Sequence, residues 1–165
     1  MYLKPHIGLA AALGFVCWSG YACATLGQSQ DSVEADRLTL GAVRQSIQPG
    51  SAVMRAAVAS AYTVQQIALS DNTIVREYVN AAGVVFGIAW QGASIPSLRQ
   101  VLGDDGFTKT QTAVTQARSA KPGRGPVSIA TSEIVFHSGG HAQAFVGFAY
   151  VPRLLPAGVD PSVIQ

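Results

Sequence analysis

At 165 residues with a formal net charge of +2, the chain has the length of one domain and lacks the basic excess that binding to a phosphate backbone requires. Apolar residues make up 48% and charged residues 12% of it, the reverse of a disordered composition, so the chain should fold. With no Lys/Arg-rich run, nucleic acid is not an expected partner.

Lys4 opens a short positive stretch, and Ile7 to Gly20 reads IGLAAALGFVCWSG without a charge, the length of a signal-peptide apolar region. Ala22-Cys23-Ala24 follows, an A-x-A triplet with small side chains at its first and third positions, which predicts cleavage after Ala24. Residues 1–24 are therefore read as a signal peptide and 25–165 as a single exported domain of a Gram-negative periplasm or cell envelope. Two alternatives stand beside this. An uncleaved anchor would make the protein membrane-tethered, since no charge lies between Lys4 and Asp31 and a span needs about 20 apolar residues. Ser19, Gly20 and the cleavage triplet weigh against it. A lipid anchor on Cys23 is opposed by Gly20, which stands where such signals carry an aliphatic residue.

Cys17 and Cys23 are the only cysteines, and both precede the predicted cut. The mature chain would be cysteine-free, held by its apolar core alone, which at this length buries roughly 68–70% of the unfolded surface. Cysteine nucleophiles and thiolate metal sites are excluded on the same ground. Losing Lys4 would lower the formal charge from +2 to +1, a value that points to no class of partner.

Asp31-Ser32-Val33-Glu34 is a capping-box-like start and predicts a short helix near 32–44. Residues 46–60, with Pro49-Gly50-Ser51, read as a loop. From Ala61 the pattern turns to period two with high β-branched content. AYTVQQIALS is the first predicted strand, SDNT a turn, TIVREYVN the second strand, AAG a turn and VVFGIAWQ the third strand. Connections this short join only antiparallel neighbours, which makes a β-meander. The apolar parity slips at Gln65-Gln66, where a bulge is predicted. In the third strand Val84, Phe86, Ile88 and Trp90 are expected on one face, with Val85, Gly87 and Ala89 on the other.

Ile95 to Gly103 reads as a short helix, with Pro96 in the first turn, Leu98, Val101 and Leu102 on one face and Gly103 as the stop. Phe107 to Ser119 reads as a second helical segment, although its four threonines are poor helix formers. KPGRGP at 121–126 breaks the chain, and VSIA, EIVFHS and AQAFVGFAYVP supply two or three further strands. The proline-rich tail from Val151 should run extended over the core. The expected fold class is α+β: an antiparallel sheet of five or six strands, a meander plus a second hairpin, with one or two helices between the third and fourth predicted strands. A gapless offset of sixty residues also aligns Thr73–Pro96 with Glu133–Pro156, matching Gly87 to Gly147, Ala89 to Ala149 and Trp90 to Tyr150. This fits two similar hairpins in one curved sheet, or convergence on the same β packing.

The segments AYTVQQIALSDNTIVREYVNAAGVVFGIAWQG, IPSLRQVLG and SGGHAQAFVGFAYVPRLLPAGV together resemble a proteobacterial family of short exported proteins known as domain of unknown function 2844. VREYV, GVVF, AW-x-G, P-x-L-R-x-x-LG and the GGH followed by LLPAG carry the likeness, which covers nearly all of residues 25–165. It implies export and a shared fold, and no activity.

His137-Ser138-Gly139-Gly140-His141 holds both histidines of the predicted mature chain. On a helix the pair would share a face and could chelate a metal, but two glycines favour a turn, across which the side chains could still converge, with Glu133 or Asp104 completing a set. The plainer reading is exposed or hydrogen-bonded histidines at a turn, with no metal and no cofactor. Ser138 with a histidine base has the composition of a nucleophile pair but lacks the strand-to-helix G-x-S-x-G elbow. Asp104, Asp105, Glu77 and Glu133 are carboxylates for acid and base work, though Asp104-Asp105-Gly106 reads more simply as a loop and cap. Glu77 and Arg76 should project from opposite faces of one strand, Arg76 beside Ile74 and Tyr78, in a cross-strand ion pair or with its stem along the surface. No glycine loop of phosphate-binding type occurs. Trp90, Tyr78, Tyr150, Phe145 and Phe148 line either a ligand groove or, as strand-spaced aromatics usually do, the core.

The expected function is a non-catalytic binding or accessory domain of the envelope, with another envelope protein as its conceivable partner and with His137, Ser138, His141, Trp90, Arg76 and Glu77 as candidate ligand contacts. Alternatives are a His-dependent hydrolase or metal enzyme using His137 and His141, and a membrane-tethered structural protein. No catalytic set is assigned.

Overall fold

The computed structural model describes residues 26–29, 43–47, 61–123 and 125–165. The predicted signal peptide, both cysteines, residues 32–42 of the predicted first helix and residues 48–60 of the predicted loop lie outside them.

Among the described residues seven strands form one open sheet: β1 (Val43–Ile47), β2 (Tyr62–Ala68), β3 (Ile74–Asn80), β4 (Val85–Gly92), β5 (Val127–Ala130), β6 (Val135–His141) and β7 (Ala144–Tyr150), with helix α1 (Leu98–Ala120) between β4 and β5. Their spatial order is β1-β2-β3-β4-β7-β6-β5, and every pairing is antiparallel. The five or six strands expected are six, β2 to β7. The seventh, β1, corrects the expectation that a helix reached residue 44 and a loop followed, because Val43–Ile47 pairs with residues 64–68 of β2.

Turn chemistry accounts for the meander. At the β2–β3 turn Asn72 has a φ of 65°, and Asp71 Oδ1 accepts from the Thr73 amide at 2.9 Å. At the β3–β4 turn Asn80 Oδ1 accepts from the amides of Ala82 and Val84, both at 3.0 Å, while Gly83 takes a positive φ of 74°. Each side chain mimics a turn carbonyl.

The expected bulge at Gln65-Gln66 is absent, since β2 runs against β3 without a shift from Tyr62↔Asn80 to Ala68↔Ile74. The parity slip has another cause. Tyr62 and Val64 serve the core on one side of the sheet, and Ile67 and Leu69 the core on the other. The bulge lies instead where Tyr78 pairs with Gly87 and Val79 with Val85, leaving Phe86 as the extra residue. Phe86 is thereby turned away from Ile88 and Trp90, and Val85 joins them, reversing the expected faces.

One face is covered by α1 and the other by the tail. On the helix side, Ile67, Val75, Ile88, Trp90, Val101, Leu102 and Phe136 are buried together, and full burial of a side chain of this kind contributes about 1.5–3 kcal/mol. The helix starts at Leu98 rather than Ile95 and is kinked at Gly103, whose φ is 70° and ψ 171°. The expected stop is therefore a break between two segments, and Asp104 and Asp105 open the second, where carboxylates favour the positive end of the helix dipole. On the tail side, 3-10 turns at Pro152–Leu154 and Pro161–Val163 lay Val159 and Ile164 over Tyr62, Tyr78, Phe86 and Ala89. Among the described residues no helix is long and apolar enough to cross a membrane.

The sixty-residue offset has a structural counterpart. β4 and β7 are neighbours, and Trp90 pairs with Gly147 as Tyr150 pairs with Gly87, so the register maps onto itself under the offset. The β3–β4 and β6–β7 hairpins meet about a local pseudo-two-fold axis.

Candidate functional site

Cross-strand rows place the candidate residues. On the helix side one row runs Gln65, Glu77, Ile88, Ala149, Phe136 and Ile129, and the next runs Ile67, Val75, Trp90, Gly147, Ser138 and Val127. On the tail side a row runs Gln66, Arg76, Ala89, Phe148, His137 and Ser128. Arg76 and Glu77 thus project from opposite faces, as alternation predicts.

Glu77 is buried at 1% exposure beside the buried Gln65, on the helix side of the sheet. Trp90 is core as well, with its ring centroid 5.9 Å from that of Phe136. Ser138 sits half-buried on the helix side, and His137 on the other. A nucleophile–base pair is therefore not formed: adjacent strand residues point to opposite faces.

The two glycines do not make a turn. Ser138-Gly139-Gly140 lies within β6, and the chain reverses one step later at Ala142-Gln143, where Gln143 has a φ of 70°. Four residues of extended strand hold His137 and His141 roughly 13 Å apart at their backbones. His141 is exposed with Nδ1 3.0 Å from the Ala142 carbonyl. The carboxylates expected to complete a metal set are held elsewhere, Glu133 by Lys109 at 2.9 Å and Asp104 by Arg99. Among the described residues no three His, Cys, Asp or Glu side chains gather as a ligand group.

The sheet instead builds a groove on its tail side. His137 and Phe148 are cross-strand partners, with ring centroids 5.6 Å apart and planes 23° from parallel, and Phe148 meets Tyr150 at 6.4 Å and 20°. All three are half-buried. Beside this row, Val135, Phe148, Tyr150, Pro161, Ser162, Ile164 and Gln165 enclose about 430 Å³. Its other wall is the tail, fixed by side chains of β3. Tyr78 Oη donates to the Gln165 main-chain oxygen at 3.1 Å and accepts from the Gln165 amide at 3.2 Å, and Arg76 Nη1 donates to the same oxygen at 3.0 Å. Asp160 Oδ1 accepts from the Ser162 amide at 2.8 Å, which holds its carboxyl below the usual carboxylate range. Arg76 is thus a clamp on the tail rather than a partner of a neighbouring strand carboxylate.

Of the aromatics proposed for a groove, Phe148 and Tyr150 line it, Tyr78 lies beneath the tail, and Trp90 belongs to the opposite core. Val135 and the tail residues escaped sequence reasoning, because nothing local says that residues 161–165 return to β3.

A second recess lies on the helix side, between α1 and the β5–β6 edge. Leu98, Phe107, Thr110, Gln111, Val114, Val127, Phe136 and Ser138 line about 270 Å³. Phe107, Thr110 and Val114 recur at helical spacing, so the sequence does place Thr110 on the apolar stripe.

No curated protein and no solved structure matches the chain. A family model, described as a protein of unknown function (DUF2844), matches residues 22–164. That span takes in every described residue but the last, from Leu26 under the helix to Ile164 on the tail, and the chain belongs to the DUF2844 family.

Proposed function

We propose that this chain is an exported domain of the bacterial cell envelope that acts by binding, without catalysis, and that its partner is an apolar segment of another envelope polypeptide. The observation that carries the reading is the tail-side groove, with Phe148 and Tyr150 as its half-buried aromatic floor, His137 stacked on Phe148 beside it, and a wall fastened by Arg76 and Tyr78. Clefts of this size with apolar linings and few polar groups are the usual form of binding sites, and half-buried aromatics are the side chains that interfaces favour. The dispersal of His137, Ser138, His141, Glu77 and Glu133 to separate places supports binding over acid–base chemistry.

Export is supported by the leader pattern and by the position of Leu26. It is buried at 8% exposure in the helix-side core, and Gly27 N donates to the Val85 oxygen at 2.7 Å, so a cut after Ala24 would leave the folded part intact. Two measurements test the proposal in cells. Intact mass of the protein from the envelope fraction should correspond to a chain starting at Thr25; a chain starting at Met1 in the cytosol would overturn export. A photo-crosslinking residue at Val135, beside the groove, should capture one defined envelope protein, while one at Thr115 on the exposed side of α1 should not. Equal capture at both positions, or none at either, would overturn the binding role.

A further inference from the structure

The recess under α1 is independent of the tail-side groove, and we infer that it is a binding site for a small, uncharged aliphatic molecule carrying one hydroxyl or carbonyl group, with Thr110 as its polar contact. The argument begins with the hydroxyls of α1. Thr108 donates to the Asp104 oxygen at 2.7 Å, Thr115 to the Gln111 oxygen at 2.9 Å and Ser119 to the Thr115 oxygen at 2.9 Å, each satisfying itself four residues back, as helix hydroxyls commonly do. Thr110 does not. It is the buried hydroxyl of the helix at 4% exposure, and its Oγ1 has no hydrogen-bond partner among the described residues. A buried hydroxyl left without a partner costs free energy that a backbone acceptor one turn away could recover, so its omission here needs a reason.

The recess supplies one. Its most buried members are Phe136, at 3% exposure, and Thr110, while Gln111 is exposed at the rim. Leu98, Phe107, Val114 and Val127 make the walls. The volume of about 270 Å³ is somewhat below the range of drug-sized sites and above that of an engineered cavity that takes up benzene. An apolar recess that size, whose polar lining is the buried Thr110, the half-buried Ser138 and the exposed Gln111, fits a medium-length alkyl body with one neutral polar end. A carboxylate end is disfavoured, because no cationic side chain lines the recess and burying an unpaired charge is costly. Arg99 is not among the lining residues; it lies over the Phe107 ring at 4.6 Å and pairs with Asp104.

Trp90 packs on Phe136 and reports on the recess. The test uses the full chain carrying Trp18→Phe, in which Trp90 is the sole indole, titrated with 1-octanol and with octanoate while Trp90 emission is followed. Saturable binding of octanol is expected, with octanoate at least about tenfold weaker. Thr110→Val should weaken octanol binding about tenfold while raising the thermal midpoint, because it removes the unsatisfied hydroxyl at nearly constant volume. Val114→Phe, which fills the recess, should abolish the response. Unsaturating partition of octanol, equal or tighter binding by Thr110→Val, or preference for octanoate would each overturn the assignment. Tail-side crosslinking from Val135 should be unaffected by either variant, so failure here and failure of the groove are separately visible.

Discussion

Trp90 on β4 lies against the bare backbone of Gly147 on β7: a Cβ built on Gly147 would stand 2.1 Å from Trp90 Cζ2 and 2.6 Å from the His137 main-chain oxygen. Neither obstacle can yield, since one is a fully buried ring and the other is strand backbone. Gly147→Ala should therefore destabilise the protein by about 3 kcal/mol, read as a lower urea midpoint with an unchanged slope. The pseudo-symmetric Gly87 is a control. Its Cβ would meet Ile164 Cδ1 at 2.8 Å, the end of a flexible side chain, so Gly87→Ala should cost only about 1 kcal/mol. Equal costs would mean that the indole is not what reserves the space at Gly147.

Tyr78 provides two hydrogen bonds to the end of the tail through one hydroxyl. Tyr78→Phe should lower stability by about 1 kcal/mol. It should also raise hydrogen exchange selectively at Val163, Ile164 and Gln165, leaving the amides of β4 and β7 protected. Uniform loss of protection across the sheet would show that the tail does not open as a unit of its own.

Asp71 links the β2–β3 turn to the segment after β4. Its carboxylate accepts from the Ser94 hydroxyl and from the Thr73 amide, and these bonds, Ser94 first, hold its carboxyl below the usual carboxylate range. A folded pKa below the unfolded one makes the contribution complete above the unfolded value, about 3.9, and lost as pH falls through the folded value. Asp71→Asn should therefore be less stable than the parent at pH 6, with the gap closing below about pH 4. Denaturation curves at several pH values check this, and a gap that does not narrow as pH falls would contradict it.

His137 and His141 sit four residues apart on one extended strand. Zinc needs its ligand atoms at about 2.0–2.1 Å, so the two imidazoles cannot share one ion within a protomer. Zinc in excess should leave the thermal midpoint unchanged. His137→Ala, which removes the ring stacked on Phe148, should lower it by an amount corresponding to about 1 kcal/mol. A midpoint that rises with zinc in the parent but not in His137→Ala would revive a metal role.

Much of the fold was legible in the residues. Alternation from Tyr62 to Trp90, Asx and glycine turns at Asp71 and Gly83, the break at Gly103 and the strand-length runs before and after Gly139 are local patterns. A local pattern is legible because turn geometry and strand period act over a few residues. The placement of the bulge was not legible. Gln65 and Phe86 look like errors of parity until the layers are known, because a strand covered on both faces accepts apolar residues at either parity. Gly139 and Gly140 read as a turn for the same reason, since glycine preference alone does not distinguish a reversal from a strand that must lie close to Pro126 and Ala144.

By itself, then, the sequence determined the class of fold, the order of its elements from β2 onward and the family. Tertiary structure decided which face each strand shows to α1 and which to the tail, and so which candidates lie together. His137 was grouped with Ser138 and His141 by proximity in the chain, but its ring stacks on Phe148 across the strands. Arg76 was expected in a cross-strand ion pair or with its stem along the surface, but it holds Gln165, eighty-nine residues on. The physical reason is that a side chain's direction follows from its own strand, whereas the layer that covers it comes from a distant segment, set by the total apolar area that must be buried.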